Sequence, residues 1–352
     1  MPSSPLVDDA HPIQDLRAAS PITEQQAEQL AAEHYGLRPI ARRLSSERDQ
    51  SFLIQADGRD FVLKIANPAE DHAVTQLQTD ALLHLSAAEP DLPIPRVYPA
   101  LSGVRDLALD FADGSTRAVR LLSYLAGTPT SAVPVSAALR SDIGRSAGRL
   151  ARGLRGLSHG GATQKLLWDL QHAAELRPLI DAVPADLADL VGCFLDGFET
   201  HAQPALQKLP RQFVHNDLNP HNIVVDPATC DRVAGIIDFG DLTFTARVND
   251  LAIAAAYQVS DSDDPLAPAC DLIAGYHAAA PLEAAEVEVL FDLMATRMAM
   301  TIVISSWRAL RYPENREYIL RNRPGAAARL RRVASLSRKA ARVQIRRACH
   351  LE

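Results

Sequence analysis

The stretch Phe213-Val214-His215-Asn216-Asp217-Leu218-Asn219-Pro220-His221-Asn222 decides the fold, because its polar residues follow the spacing His-x-Asp-x-x-x-x-Asn. A second polar stretch, Gly235-Ile236-Ile237-Asp238-Phe239-Gly240-Asp241, begins thirteen residues after Asn222. Short apolar runs at 223–225 and 233–237 are typical of two strands that would hold the ends of these loops together. We therefore expect Asp217, Asn222 and Asp238 to serve one site.

These three side chains suit phosphoryl transfer, a reaction that depends on positioning and charge neutralisation. One carboxylate must meet the acceptor hydroxyl and take its proton, and we assign this role to Asp217. An amide and a second carboxylate must hold Mg²⁺ against the phosphates, and Asn222 and Asp238 offer the oxygen donors that this ion prefers. The expected cofactors are Mg²⁺ and a phosphate donor, ATP or GTP.

The first third of the chain reads as a small antiparallel sheet that carries one inserted helix. Strand-like runs at 51–55 and 61–66 flank Asp57-Gly58, a strong hairpin signal. A short helix is predicted over 23–35, with Thr23 as its N-cap and Gly36 at its end. Asn67-Pro68 can start the inserted helix, and apolar residues at helical spacing from Leu77 to Ala88 mark one of its faces. Three further strands are predicted at 97–101, 106–111 and 116–124.

Helical patterns dominate beyond Gly127, and the polar stretches interrupt them. The sequence therefore predicts an α+β fold with flexible residues 1–21, a sheet domain over 22–126 and a mainly helical domain over 127–352. The predicted helices lie at 137–157, 165–176, 187–206, 248–259 and 284–310.

Composition excludes several other classes of protein. No apolar run reaches the roughly 18 residues that a membrane span needs, and no secretory signal is visible at the start. Cys193, Cys230, Cys270 and Cys349 lie far apart, which is typical of free thiols in a reducing, cytoplasmic protein.

The end of the chain is strongly basic, with 13 Lys or Arg and three Asp or Glu from Trp307 onward. This charge raises the alternative of a nucleic-acid binder. Apolar residues recur at helical spacing among the arginines from Leu330 to Val343, however, and no aromatic residue lies between Pro324 and Glu352. The pattern favours a C-terminal helix against the acidic body over stacking on bases, so no nucleic-acid partner is expected.

The two polar motifs resemble those of protein-kinase-like phosphotransferases that act on small molecules, such as aminoglycoside phosphotransferases and choline kinases. Within this group the likeness is greatest to hydroxylysine kinase and to kinase-like domains fused to class III aminotransferases. Further cues are Asn216 within the first motif, the run 248–254 and the run 275–277. The resemblance spans roughly 22–333 and implies a two-lobed kinase-like fold.

The resemblance also implies roles for residues of the sheet domain. Lys64 lies within an apolar strand and would reach the α- and β-phosphates. The family places a glutamate on the next helix to steady this lysine, but the matching residue here is Asp80, so Glu70 remains open as its partner. The phosphate-side turn lacks the glycine motif, and Ser45 and Ser46 would contact the phosphates there. The backbone of Ser123 and Leu125 would border the nucleobase.

Other candidates carry two interpretations each. Asp241 would bind a cationic substrate or cap a turn, whereas Arg297 and Arg308 would grip a substrate carboxylate or pair with the acidic body. His215 is expected to support the loop, and Asp250 to hold its backbone in place.

The leading hypothesis is a kinase that phosphorylates a hydroxyl of a small, amine-bearing metabolite. The first choice of substrate, hydroxylysine, is what the resemblance implies. An aminoglycoside, homoserine or choline kinase is the alternative on the same scaffold. A nucleotide-binding pseudokinase, partnered with an aminotransferase, is the alternative from another class. The oligomeric state stays open.

Overall fold

The computed structural model describes residues 20–46, 48–160 and 165–351, which fall into two compact units. The first unit extends to Ala126 and includes 157–160, and the second comprises 127–156 and 165–351. Residues 157–160 were predicted to belong to the helical domain. The structure instead groups them with the sheet, where His159 Nε2 lies 3.7 Å from a carboxylate oxygen of Asp80. The predicted flexible segment 1–21 lies outside the described residues except for Ser20 and Pro21.

The first unit begins with a capped helix, α1, which packs beside a six-stranded sheet. Thr23 accepts a hydrogen bond from the backbone N–H of Gln26, whose side chain caps Thr23 in return, and Gly36 ends the helix at a φ of 69°. The hairpin turn also forms as predicted, with positive φ at Asp57 and Gly58. The elements are α1 Glu24–Tyr35, β1 Ile40–Leu44, β2 Gln50–Ala56, β3 Arg59–Ile65, α2 His72–Ala88, β4 Val97–Tyr98, β5 Leu107–Asp110 and β6 Thr116–Ser123.

The sheet order is β1-β2-β3-β6-β4, with β5 also pairing with β6, and every pair is antiparallel. The register places Lys64 of β3 between Ser51 of β2 and Arg120 of β6. Strand β1, with the sequence Ile-Ala-Arg-Arg-Leu, was not predicted. Its two adjacent arginines are exposed, so apolar and polar residues do not alternate along it.

The second unit is mainly helical, with short strands around the polar motifs. Strands β8 and β11 form one antiparallel pair, and β9 pairs with β7 and β10. Its helices and strands are β7 Thr128–Pro129, α3 Ala137–Gly153, α4 Ala185–Gly197, α5 Gln203–Leu206, β8 Arg211–Val214, β9 Ile223–Val225, β10 Val233–Ile236, β11 Thr243–Ala246, α6 Val248–Ala256, α7 Ala267–Ala279, α8 Ala284–Arg311, α9 Arg316–Leu320, α10 Arg323–Ala334 and α11 Arg338–Ala348.

The predicted helix over 165–176 is a 3₁₀ segment over Leu170–Ala182, and the helix over 187–206 is divided by a π turn at Phe198–Ala202. Helix α8 forms the centre of the unit, since nearly all of its residues from Glu286 to Ala309 are buried. A helix that is apolar on most of its circumference must be surrounded by other elements.

The basic end of the chain forms two helices, α10 and α11, where the sequence predicted one. Ser337 interrupts the helical run because its side chain accepts a hydrogen bond from Ala340 N and so caps α11. The arginines of α11 pair with acidic residues of α8: Arg338 and Arg342 with Asp292, and Arg346 with Glu288. This arrangement is the expected packing of the basic segment against the acidic body.

The predicted α+β class is confirmed by a sheet unit and a mainly helical unit. Within the part of the chain that the structure describes, no helix combines the length and the apolar character that crossing a bilayer requires.

Glycines allow α3 and α7 to approach closely, and we predict that filling this contact destabilises the protein. A Cβ at Gly275 would lie 2.1 Å from the carbonyl oxygen of Ser141, so Gly275→Ala should cost about 3 kcal/mol or more of unfolding free energy. Gly192 is also helical, but a Cβ added there would have no heavy atom within 4 Å, so Gly192→Ala should stabilise by about 0.5–1 kcal/mol. Urea unfolding of both variants checks this, and equal effects would contradict it.

Candidate active site

The first polar motif forms the loop between β8 and β9, and backbone hydrogen bonds fix both of its ends. The β9–β10 pair brings the end of this loop beside the second motif, where Ile237 N donates to Asn222 O at 2.9 Å. Asn222 and the residue that precedes Asp238 are therefore neighbours in space, as the two short strands predicted.

The carboxylate of Asp217 is held by three side chains. Its Oδ1 accepts a hydrogen bond from the Arg297 guanidinium at 3.1 Å. Its Oδ2 accepts from Asn219 Nδ2 at 2.7 Å and from Asn222 Nδ2 at 2.8 Å. A carboxylate has about four lone-pair positions, so these bonds orient the group and leave one position on Oδ1 for a further donor.

The surroundings of Asp217 make it more basic than an ordinary aspartate. Removal from water raises its pKa to about 6, and the carboxylates of Asp241 and Asp238 contribute to the increase. Arg297 opposes these effects, as does the hydrogen bond from Asn219. The result is a carboxylate that is ionised near neutral pH and able to accept a proton.

Buried groups hold the backbone of the loop from behind. Asp250, in the first turn of α6, accepts hydrogen bonds from His215 N at 2.8 Å and Asn216 N at 2.7 Å. His215 Nε2 donates to Ile237 O at 3.0 Å, and its Nδ1 accepts from Asp217 N at 3.3 Å. The supporting roles expected for His215 and Asp250 are thus confirmed.

Asn216 and Asp238 have left-handed backbone conformations, with φ of 66° and 64°. Asparagine and aspartate tolerate this region better than other non-glycine residues, which explains why an asparagine fits before Asp217. At Gly240 a Cβ would lie 3.2 Å from Asp238 Oδ1, so a side chain there would crowd that carboxylate.

Arg297 lies in the buried part of α8 and is 3% exposed. One terminal nitrogen donates to Asp217 and the other to Trp168 O at 3.1 Å, while the guanidinium lies 4.8 Å from the centre of the Trp168 ring. Of the two interpretations of Arg297, pairing with an acidic residue is the one observed, and that residue is the candidate base. Arg308 is half-buried in the last turn of α8, and its substrate contact stays a prediction.

The nucleotide candidates all lie in the first unit. Lys64 Nζ is 3.2 Å from Asp49 Oδ2. The side chain of Asp80, in contrast, is 56% exposed and contacts His159. The sequence left Asp80 and Glu70 open as partners of Lys64, and Asp80 is not that partner, because it lies on α2 facing residues 157–160. Glu70 stays a prediction as a second partner.

The other candidates of this unit border the sheet. Ser45 and Ser46 are exposed directly after β1, as a phosphate-side turn requires. Ser123 ends β6 and exchanges hydrogen bonds with the backbone of Arg96, while Leu125 follows it half-buried. Their contacts with a nucleotide remain predictions.

Comparison with known proteins places the chain in a family. Residues 40–287 match the phosphotransferase enzyme family. The chain belongs to this family. This phosphotransferase is 29% identical to hydroxylysine kinase of Xenopus laevis over 323 residues, which cover 85% of this chain and 86% of that enzyme.

Solved structures show the same fold. A microcompartment-associated aminopropanol kinase matches with a TM-score of 0.67 at 20% identity, over 88% of this chain and 98% of that one. Amicoumacin kinase, solved with AMP-PNP and Ca²⁺, matches with a TM-score of 0.64 at 17% identity, over 87% and 94% of the two chains. The predicted resemblance and the predicted enzyme class, phosphotransfer to an alcohol group, are both confirmed.

The donor set of this phosphotransferase fits a hard cation. Asn222 uses its amide nitrogen toward Asp217, so its Oδ1 remains for a ligand, and Asp238 and Asp241 gather negative charge nearby. The described residues contain no group of three or more His, Cys, Asp or Glu side chains arranged as a metal site. Two protein donors suit Mg²⁺, which often takes its other ligands from phosphates and water.

Three residues that shape the phosphotransferase site were not predicted from the sequence. Asn219 lies two residues after Asp217, and this closeness was the available signal for its bond to the carboxylate. Trp168 and Asp49 gave no such signal, because each is brought to its partner by packing distant in sequence.

We predict that Arg297→Met raises the pKa of Asp217 further, by about one unit or more, because the attraction that opposes protonation is lost. Carbon-13 NMR titration of labelled aspartate carboxyls measures this, with Asp217→Asn to assign the resonance. Arg311→Met is the control, since Arg311 is exposed on the same helix with its guanidinium over Trp307. An unchanged or lower midpoint in Arg297→Met would contradict the role of Arg297.

Proposed function

We propose that this phosphotransferase is a kinase that transfers the γ-phosphate of ATP or GTP to a hydroxyl of a small, amine-bearing metabolite similar to hydroxylysine. The observation that carries the proposal is the Asp217 carboxylate, which three side chains orient and whose pKa is raised to about 6. The hydroxylysine-like acceptor is supported by the similarity to hydroxylysine kinase over most of both chains. The cytoplasm is the proposed compartment, in keeping with four cysteines in the free state.

The chain's own residues account for the acceptor side of the reaction. The acceptor hydroxyl would donate to the remaining lone pair on Asp217 Oδ1 and pass its proton there as its oxygen bonds to the γ-phosphorus. The bond from the γ-phosphorus to the β–γ bridging oxygen breaks, and the nucleoside diphosphate leaves with that electron pair. Asn219 and Asn222 keep the carboxylate in a fixed orientation, which lowers the entropic cost of reaching this geometry.

Asn222 Oδ1 and Asp238 would hold Mg²⁺, which when bound neutralises charge on the phosphates. Lys64 would bind the α- and β-phosphates as a point charge. Asp241 would contact the substrate ammonium group, because it adds to the negative potential around Asp217.

We predict that Asp217→Asn lowers kcat by about 10³-fold, because an amide cannot accept the proton, while nucleotide affinity stays within about threefold. The assay is release of ADP or GDP with Mg²⁺ and hydroxylysine, homoserine, choline, ethanolamine or kanamycin as acceptor. Asp231→Asn, at an exposed position in the turn after β9, is the matched control.

The outcomes of this assay separate the hypotheses. Turnover with hydroxylysine supports the proposal, and turnover with another acceptor moves the substrate to that class. Nucleotide binding with no turnover on any acceptor would indicate a pseudokinase, and no nucleotide binding would overturn the kinase.

The pH profile provides a second prediction. Because Asp217 must be ionised to accept the proton, kcat/KM should fall about tenfold per pH unit below about pH 6. In Arg297→Met the acid limb should move to higher pH, since the folded protein then holds the proton more tightly. A profile that is flat from pH 7 down to pH 5 would contradict the assignment of Asp217 as base.

A further inference from the structure

The carboxylate that accompanies Lys64 comes from an unexpected element. Asp49 lies in the turn between β1 and β2, and its Oδ2 is 3.2 Å from Lys64 Nζ. The two side chains are 12% and 15% exposed, so the pair is shielded from water and its attraction is less screened than that of a surface pair.

Arg120 lies directly across the sheet from this lysine. The β3–β6 register pairs Lys64 with Arg120, and like charges directly opposite each other on neighbouring strands are destabilising. Arg120 is 2% exposed, and its NH2 nitrogen lies 3.9 Å from Asp49 Oδ2. The Asp49 carboxylate therefore compensates both cations.

The position of Arg120 is fixed by α2. Its NH1 nitrogen donates to Thr75 O at 3.2 Å, while its Nε and NH2 groups have no hydrogen-bond partner among the described residues. A buried guanidinium with unused N–H groups is costly unless a counter-charge lies beside it, and Asp49 is that counter-charge. Arg120 is too enclosed to meet a nucleotide, so its effect passes through Asp49.

We propose that Asp49 is the positioning residue for Lys64 and that Arg120 anchors Asp49. Asp49 would thus take the role that the kinase-like family gives to a glutamate on the following helix. The proposal rests on the proposed function insofar as Lys64 binds phosphate. It also explains how the turn between β1 and β2 keeps its position without the glycine motif. Asp49, the last residue of this turn, is attracted to Lys64 of β3 and Arg120 of β6.

The first test needs no enzymatic activity. Acylation of Lys64 by an N-hydroxysuccinimide ester of acetate, followed by peptide mass spectrometry, reports how strongly the ammonium form is stabilised. Asp49→Asn should make Lys64 react roughly fivefold faster, because a nearby carboxylate favours the charged amine. Asp60→Asn, an exposed carboxylate on the same strand, should leave the rate unchanged. An effect of Asp80→Asn with none of Asp49→Asn would overturn the proposal.

The second test follows nucleotide use. Asp49→Asn should raise KM for the nucleotide roughly tenfold with a smaller change in kcat, and Asp49→Glu should restore most of this loss. Arg120→Met should produce a similar but smaller rise, and the double variant Asp49→Asn with Arg120→Met should be less than additive because both act through one carboxylate.

These results also separate the two proposals. If the wild-type protein binds no nucleotide but Asp49→Asn still accelerates Lys64 acylation, the kinase function fails and the ion pair stands. If Asp49→Asn leaves both acylation and nucleotide KM unchanged, the positioning role fails while the kinase function stands. Should Asp49→Asn misfold, the folded Asp49→Glu variant provides the test. An unchanged nucleotide KM and an unchanged rate of Lys64 acylation in Asp49→Glu would support charge positioning. A higher KM together with faster acylation would count against it.

Discussion

The desolvation of Asp217, reinforced by the nearby carboxylates of Asp241 and Asp238, is the constraint that the rest of the site in the second unit must satisfy. Asp217, partly withdrawn from water, lies close enough to Asp238 and Asp241 for each to raise its pKa. A fixed cation beside such a group opposes these effects and lowers its pKa. Arg297 supplies this cation from within the protein, so the base can be ionised before any metal ion or nucleotide arrives.

The position of Arg297 depends on the packing of α8. An exposed arginine would lose its long side chain's conformational freedom for little gain, but this one lies on a buried helix against the Trp168 ring. The same helix carries Asp292 and Glu288, which hold the basic C-terminal helix α11. One buried helix thus supports the candidate base on one part of its surface and pairs with the basic C-terminal segment on another.

The features that the sequence predicted correctly are those determined by interactions between residues close together in the chain. The hairpin at Asp57-Gly58, the capped helix α1 and the adjacency of Asn222 with the Asp238 loop all follow from short-range rules on turns, caps and short strands. Strand β1 was missed because its exposed arginines hide the alternation, and β8 and β11 because four-residue strands give too few positions for a period to show. The ion pair of Lys64 with Asp49 was not predicted, because the family pattern places the partner on the next helix, whereas Asp49 comes from the turn between β1 and β2.

The geometry of Arg297 also limits how this phosphotransferase selects its substrate. Gripping a substrate carboxylate in bidentate fashion uses two parallel N–H groups of a guanidinium, and one N–H on each terminal nitrogen of Arg297 already serves Asp217 or Trp168 O. A substrate carboxylate bound by the remaining N–H groups would compete with Asp217 for the same positive charge and so weaken the attraction that lowers the pKa of Asp217. Arg297 is therefore better suited to maintaining the base than to selecting the substrate.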